Sequence, residues 1–324
     1  MAIDMMDRLD PELVDPLQGL MEATGGGFSL RDVPSTRAMV DAMLAAVKAE
    51  VPPILGVESE DRRVPSTAGG PDVAVRIYRP SGRADALPAL IWLHGGGFVL
   101  GGLELDDLMA RQLAKDVECV VIGVDYRLAP ENPYPAALDD SRAVLKWAAA
   151  NGEALGIDSK RIALGGASAG GGIAAGVALM ERDRGESDIV FQLLIYPSID
   201  DRNIEQVSET VPENLFWSRE NTLTGWRLYL EGQQAGGNVQ AYAAPARAVD
   251  LGGLPPTYIA VGAVDMFMGD DIDYARRLVA AGVPTELHVY PGAFHAFDSF
   301  APMAGVSRRF VEDRNAALRR AFAS

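Results

Sequence analysis

From residue 87 onward the chain repeats one unit, a short apolar run followed by a longer stretch with helical spacing. The apolar runs fall at 87–93, 119–124, 161–165, 190–196, 256–261 and 285–290. The helical stretches fall at 105–116, 136–150, 170–184, 270–281 and 307–322. A run that is apolar at consecutive positions has both faces buried, so helices must cover both faces of the sheet it joins. This rhythm predicts an α/β fold around a mainly parallel sheet. One earlier strand is expected at 72–78, where Val73, Val75 and Ile77 share a face. Pro80-Ser81-Gly82 then turns the chain.

Two stretches depart from the rhythm. Residues 10–50 are helical in pattern, with Leu13, Val14, Leu17 and Leu20, then Met39, Met43, Val47 and Val51, at helical spacing. Residues 198–236 carry no strand pattern and gather Phe216, Trp217, Trp226 and Tyr229. We read 1–50 and 198–236 as a helical cap over the C-terminal edge of the sheet. Residues 51–197 and 237–324 are then the two parts of the α/β core.

The charge narrows the functional classes. Of 324 residues, 29 are Lys or Arg and 45 are Asp or Glu, a net of −16. Such a surface opposes nucleic acid and anionic membranes, and neither is an expected partner. The single cysteine, Cys119, cannot form an intrachain disulfide. Three histidines leave little material for a metal cluster, and no metal is expected. Residues 1–16 hold five acidic residues and one Arg, unlike a secretory leader. No uncharged apolar stretch reaches about 18 residues, so a cytoplasmic location is the expectation.

The strongest local signal is Gly166-Ala167-Ser168-Ala169-Gly170, between an apolar run and a helical stretch. A nucleophile elbow needs this strand–turn–helix setting, with small residues where the chain passes close to itself. Gly170, Gly172 and Ala175 also satisfy a dinucleotide pattern, but that triplet starts inside the helix rather than at the strand end. The second signal is His94-Gly95-Gly96-Gly97, directly after the 87–93 strand. Consecutive glycines can present N–H groups to a developing oxyanion, with Gly95, Gly96 and Ala169 as the expected donors. His94 is expected to orient this loop. Of the other histidines, His288 lies mid-strand, whereas His295 follows the last strand in a loop, where a base for Ser168 belongs. Asp265 follows the 256–261 strand and precedes His295 by 30 residues, in the order Ser, acid, His. Its rivals are Asp270, Asp271 and Asp273, which suit a helix start, and Asp200 and Asp201 after an earlier strand. The doublets Asp106-Asp107 and Asp139-Asp140 read as solvated helix ends.

On these residues the chain resembles the hormone-sensitive-lipase-like branch of the α/β-hydrolases, the bacterial family IV carboxylesterases. The matching stretches are His94-Gly-Gly-Gly-Phe98, Asp125-Tyr-Arg-Leu-Ala-Pro-Glu131, Pro135-Ala-Ala-Leu-Asp-Asp140, Gly166-Ala-Ser-Ala-Gly-Gly171, Tyr196-Pro197, Asp265 and His295-Ala-Phe297. Ala167 departs from the Asp or Thr that many relatives carry before the serine. The resemblance implies an eight-stranded sheet, a helical cap and a Ser168–Asp265–His295 triad. It also implies an oxyanion hole from Gly95, Gly96 and Ala169, with no cofactor. The substrate is then a small-molecule ester of short or medium acyl length, with Phe98, Phe216 and Trp217 as candidate substrate contacts. The strand at 285–290 becomes a candidate homodimer edge. An amidase or specialised deacetylase would use the same triad, and a non-catalytic ligand receptor would use the same fold.

Overall fold

The computed structural model describes residues 5–66, 69–186, 189–202 and 216–323. Eight strands form one sheet: β1 (Val57–Val64), β2 (Val73–Pro80), β3 (Leu87–Leu93), β4 (Val120–Asp125), β5 (Ile157–Ala167), β6 (Ile189–Ile195), β7 (Thr257–Gly262) and β8 (Thr285–Tyr290). Their spatial order is β1-β2-β4-β3-β5-β6-β7-β8. The strands from β4 to β8 in that order pair in parallel, whereas β1–β2 and β2–β4 are antiparallel. The fold is therefore the α/β-hydrolase arrangement, a mostly parallel eight-stranded sheet with flanking helices.

Ten α-helices accompany the sheet among the described residues: α1 (Pro11–Ala23), α2 (Val33–Glu50), α3 (Asp107–Val117), α4 (Ala136–Ala150), α5 (Gly152–Leu155), α6 (Ala169–Arg184), α7 (Arg219–Tyr229), α8 (Met268–Ala280), α9 (Phe297–Phe300) and α10 (Gly305–Ala323). The alternation of side chains along β3 shows why both faces need cover. Leu87, Ala89, Ile91 and Leu93 point into the layer of α4, α6 and α8, while Leu90 and Trp92 point into the layer of α3 and α10. Among the described residues no helix is long and apolar enough to cross a membrane.

Register places the site. Leu93 lies opposite Val124 on one side and Gly166 on the other, and Ala167 lies opposite Ile195. The loops that leave β3, β5, β7 and β8 thus emerge along one edge, the C-terminal edge where parallel sheets hold their ligands.

The strand β1 lies outside the seven read from the sequence, six from apolar runs and one from alternation. Its sequence, Val-Glu-Ser-Glu-Asp-Arg-Arg-Val, buries only its two ends. It is held by full-length antiparallel pairing with β2 and by Arg76, which bridges to Asp61 at 2.6 Å. A charged edge strand also resists pairing with other chains. The acidic doublets need a second correction, because they are not simply solvated. Asp107 joins Arg76, Arg111 and Tyr78, and Asp106 accepts the Trp92 indole N–H at 2.7 Å. Asp140 is buried and accepts both the Arg127 backbone N–H, at 2.9 Å, and its guanidinium, at 2.8 Å.

This last pair fixes the 125–131 loop onto α4. Removing one member of a buried pair strands the other, at a typical cost of 3–5 kcal/mol, and Arg127 is partly exposed. We expect Asp140→Ala to lower the unfolding free energy by about 3 kcal/mol in urea titration at unchanged slope. A loss below about 1 kcal/mol would place the pair among ordinary surface bridges.

Candidate active site

Ser168 stands between the end of β5 and the start of α6, at φ 54° and ψ −120°. A non-glycine residue at positive φ costs of order 1–3 kcal/mol and persists only where its surroundings over-determine it. Here they do. The Ser168 N–H donates to Ile195 O at 2.9 Å, and Ser198 N–H donates to Ser168 O at 2.9 Å. The flanking glycines are required by contact: a Cβ on Gly166 would lie 2.4 Å from Gly170 C, and one on Gly170 would lie 2.1 Å from Leu93 O.

His295, in the loop between β8 and α9, reaches Ser168. The Ser168 Oγ–H donates to His295 Nε2 at 3.0 Å, and His295 Nδ1–H donates to Asp265 Oδ2 at 2.7 Å. These roles follow because a carboxylate only accepts, which leaves Nε2 as the accepting nitrogen. Asp265 is buried in the turn after β7, and its Oδ1 accepts the Phe267 N–H at 3.0 Å. Two rings hold the imidazole edge-on, Tyr196 at 4.7 Å and Phe267 at 5.1 Å between centroids. Three of the rival acids are paired elsewhere. Asp200 pairs with Arg202, Asp201 with Arg247, and Asp273 with Arg276. Asp270 and Asp271 lie in the first turn of α8, where burial and the nearby charges of Asp265 and Asp270 push the Asp271 carboxyl well above its ordinary value. His288 stays on β8 and pairs with Glu286.

The glycine loop after β3 lies beside the nucleophile. The position a Cβ would take on Gly95 is 3.4 Å from Ala167 O and 3.5 Å from Ser168 Cβ. Gly96 sits at φ 115°, and its carbonyl accepts the N–H groups of Val99 and Leu100 at 3.1 and 2.9 Å. Ala169 is the first residue of α6, so its N–H has no partner within the helix. The glycine loop, the elbow and the helix start are thus close neighbours around Ser168. His94 braces this arrangement. Its Nδ1–H donates to Gly95 O at 2.7 Å, and its ring stacks on Tyr126 at 4.2 Å. The Tyr126 hydroxyl donates to His94 O at 2.8 Å.

The N-terminal helices and the segment from residue 216 meet above this edge. Phe216 packs edge-on between Phe28 and Phe300, at 4.6 and 4.3 Å. Asn221 joins the two stretches, accepting the Leu30 N–H at 3.0 Å and donating to Phe28 O at 2.8 Å. Trp217 and Phe98 are buried against the glycine loop and α7. Residues 203–215 of the expected cap lie outside the described residues. Among the described residues no group of three or more His, Cys, Asp or Glu is placed to hold a metal ion.

Phe267 as a wall of the imidazole pocket was not legible in the sequence, and neither was the use of the Tyr196 ring. Tyr196 sits at φ 35°, and its hydroxyl donates to Asp298 Oδ1 at 2.9 Å. Both are set by contacts between loops that follow different strands, and no local pattern encodes them.

Burial pushes the His94 imidazole down to about 4 from its ordinary value near 6.5. The neutral ring is what the fold favours, so its stabilisation is complete above the unfolded value and is lost as pH falls towards the folded one. The two values imply a loss of roughly 2 kcal/mol between pH 7 and pH 4.5. We expect His94→Gln, which keeps a donor for Gly95 O, to lose less stability than the wild type over that range in urea titrations. Equal losses in the two proteins would show that His94 does not titrate as its burial requires.

Comparison with known proteins agrees with this geometry. A family described as having the alpha/beta hydrolase fold matches residues 90–299. The chain is 40% identical over 250 residues to esterase LipI of Mycobacterium tuberculosis, covering 76% of this chain and 78% of that protein. It is 39% identical over 255 residues to carboxylesterase NlhH of the same species, covering 77% and 79%. Among solved structures, a bacterial heroin esterase superposes with a TM-score of 0.92 at 40% identity, covering 98% of this chain and 99% of that one. Esterase LipW from Mycobacterium marinum superposes at 0.88 with 38% identity, covering 99% and 98%. The chain belongs to the α/β-hydrolase family, in its hormone-sensitive-lipase-like branch, and is a carboxylic ester hydrolase.

Proposed function

We propose that the protein hydrolyses short- to medium-chain acyl esters through an acyl-enzyme on Ser168. The observation that carries this reading is the relay Asp265–His295–Ser168, with hydrogen bonds of 2.7 and 3.0 Å. His295 Nε2 takes the hydroxyl proton as Ser168 Oγ attacks the ester carbonyl carbon. Asp265 holds the tautomer and stabilises the imidazolium. The carbonyl oxygen, now an anion, is met by the N–H groups of Gly95, Gly96 and Ala169. His295 then gives its proton to the departing alkoxide, and the Ser168 ester remains. Water enters, loses a proton to His295 and attacks the acyl carbon. Collapse releases the carboxylic acid, and the proton returns to Ser168. The short-acyl reading is supported by the rigid Phe28–Phe216–Phe300 ring cluster that joins the N-terminal helices, the segment from residue 216 and α9. In this reading residues 1–50 and the 198–236 segment together act as the cap.

The test is hydrolysis of p-nitrophenyl acetate, butyrate, octanoate and laurate. We expect Ser168→Ala to lower kcat on the order of 10⁶-fold. Asp265→Asn should cost about 10⁴-fold by presenting the wrong tautomer. Activity should fall between octanoate and laurate. Turnover that survives Ser168→Ala would overturn the nucleophile, and a maximum at laurate would overturn the acyl-length reading.

A homodimer through β8 is the second part of the proposal. The strand ends the sheet order, and its Leu287 and Val289 are exposed. An open edge carrying apolar side chains favours strand addition by a second copy. Sedimentation velocity at tens of micromolar should give a dimer for the wild type and a monomer for Leu287→Asp. A monomeric wild type would refute this assembly while leaving the chemistry untouched.

A further inference from the structure

We propose that the segment bearing α7 holds the oxyanion loop in its working shape, with Trp217 and Gly225 as positioning residues for the N–H groups of Gly95 and Gly96. The inference rests on the Ser168 acyl-enzyme reading and adds a task for this segment beyond enclosing substrate.

The physical need comes first. Three consecutive glycines have a broad conformational landscape, and Gly96 and Gly97 both sit at positive φ, 115° and 59°. An oxyanion hole lowers the barrier only if its donors are already aimed, because reorganisation during reaction cancels the benefit. Something outside the loop must select one conformation. Part of the selection is local, since Gly96 O accepts the N–H groups of Val99 and Leu100. That turn closes around Gly97 and Phe98, but it does not set how the turn as a whole sits relative to Gly95 and Ser168.

The α7 segment grips Gly97 from two directions. The far edge of the Trp217 indole covers its α-carbon: a Cβ there would lie 2.4 Å from Cζ2 and 2.6 Å from Cη2. On the carbonyl side, the Gly225 backbone of α7 comes so close that a Cβ on Gly225 would lie 2.6 Å from Gly97 O. The next residue, Phe98, is also taken up by α7. It stacks on Tyr229 at 4.2 Å and 8°, and leans on Trp226 at 4.7 Å.

The grip is itself braced. Trp217 Nε1–H donates to Thr222 Oγ1 at 2.9 Å, and that hydroxyl lies 3.1 Å from Met266 Sδ. Met266 follows the triad acid Asp265 directly. One helix therefore touches both the loop that aims the N–H groups and the turn that carries the acid. Trp217 and Phe98 are almost fully buried in these contacts. Phe98 gives its ring to α7, and Trp217 gives its far edge to the loop.

Interactions that aim the donors act on the transition state and leave ground-state ester binding nearly unchanged. Gly225→Ala forces Gly97 O to move, and Trp217→Ala removes the cover over Gly97. With p-nitrophenyl acetate, we expect each to lower kcat about 10- to 100-fold, as for a displacement of about 1 Å. KM should stay within about threefold, and affinity for a phenylboronic acid, which binds as a tetrahedral adduct, should fall in parallel with kcat. Leu223→Ala, on the exposed face of the same helix, should leave both constants within about twofold. Melting temperatures verify that each variant is folded, and Trp217→Ala carries the test if Gly225→Ala does not fold.

An unchanged kcat, with only KM or chain-length preference altered, would overturn the proposal and leave this segment as a pocket wall. So would an unchanged boronate affinity beside a reduced kcat. Ser168→Ala is measured alongside. If turnover survives it, the nucleophile reading fails. If Ser168→Ala abolishes turnover while the α7 variants keep their kcat, this inference alone fails.

Discussion

The rest of the site depends on one crowded crossing, where the turn at Ser168 passes the end of β3. Gly170 approaches so closely that its absent side chain would meet both Leu93 O, at 2.1 Å, and His94 O, at 2.4 Å. The contact does three things at once. It sets the start of α6 against the strand that feeds the glycine loop, so elbow and loop cannot drift apart. It leaves the N–H groups of the helix start, which have no partner within the helix, next to Ser168. It also traps Ser168 at a φ of 54°, which the hydrogen bonds to Ile195 O and from Ser198 N–H make the available conformation. The strain, of order 1–3 kcal/mol, is small against a sheet whose central strands are buried on both faces.

Around that crossing the protein distinguishes chemically identical groups by what hydrogen-bonds to them. Asp265 receives the His295 Nδ1–H and the Phe267 N–H. Asp271 lies close enough to feel the Asp265 charge, yet neither of its carboxyl oxygens has a hydrogen-bond partner among the described residues. Burial without donors drives that carboxyl towards its neutral form, which avoids a second negative charge behind the acid. Asp298 is also pushed up by burial, with Arg314 and the Tyr196 hydroxyl opposing the push. The histidines divide in a similar way. His94, sealed under Tyr126, is held neutral, while His295 keeps one nitrogen on a carboxylate and one on a hydroxyl.

What could be read from the sequence follows from where each feature gets its stability. The central parallel strands and their helices are visible because burial on both faces demands apolar residues in sequence. Ser168, Asp265 and His295 are visible because each follows a strand end, and parallel strand ends share one edge. The strand β1 hides because its partner is another strand, with six exposed residues between two buried valines. The four-residue helices α5 and α9 are too short to show a period. Asp140 reads as a surface residue until the fold brings Arg127 to it. The contacts of Tyr196, Phe267 and Trp217 lie further from view, because each joins segments that are distant in the chain.

The glycine loop is where this distinction matters most. A loop of consecutive glycines carries the freedom to form an oxyanion hole and too little information to choose one shape. Its shape is therefore supplied from outside, and from both stretches that depart from the strand–helix rhythm. The α7 segment covers Gly97 and Phe98. On the N-terminal side, Arg37 of α2 donates Nε–H to Val99 O at 2.8 Å and a terminal N–H to Ala129 O at 2.8 Å. Its guanidinium also forms a bidentate pair with Glu131, at 2.8 and 2.9 Å. Asn221 links the two stretches directly through Phe28 and Leu30. The glycine loop, α2 and the α7 segment are thus mechanically one unit. In the proposed reading, variation in these two stretches that reshapes a substrate pocket must also preserve the contacts at Gly97 and Val99, or it will detune the chemistry along with the specificity.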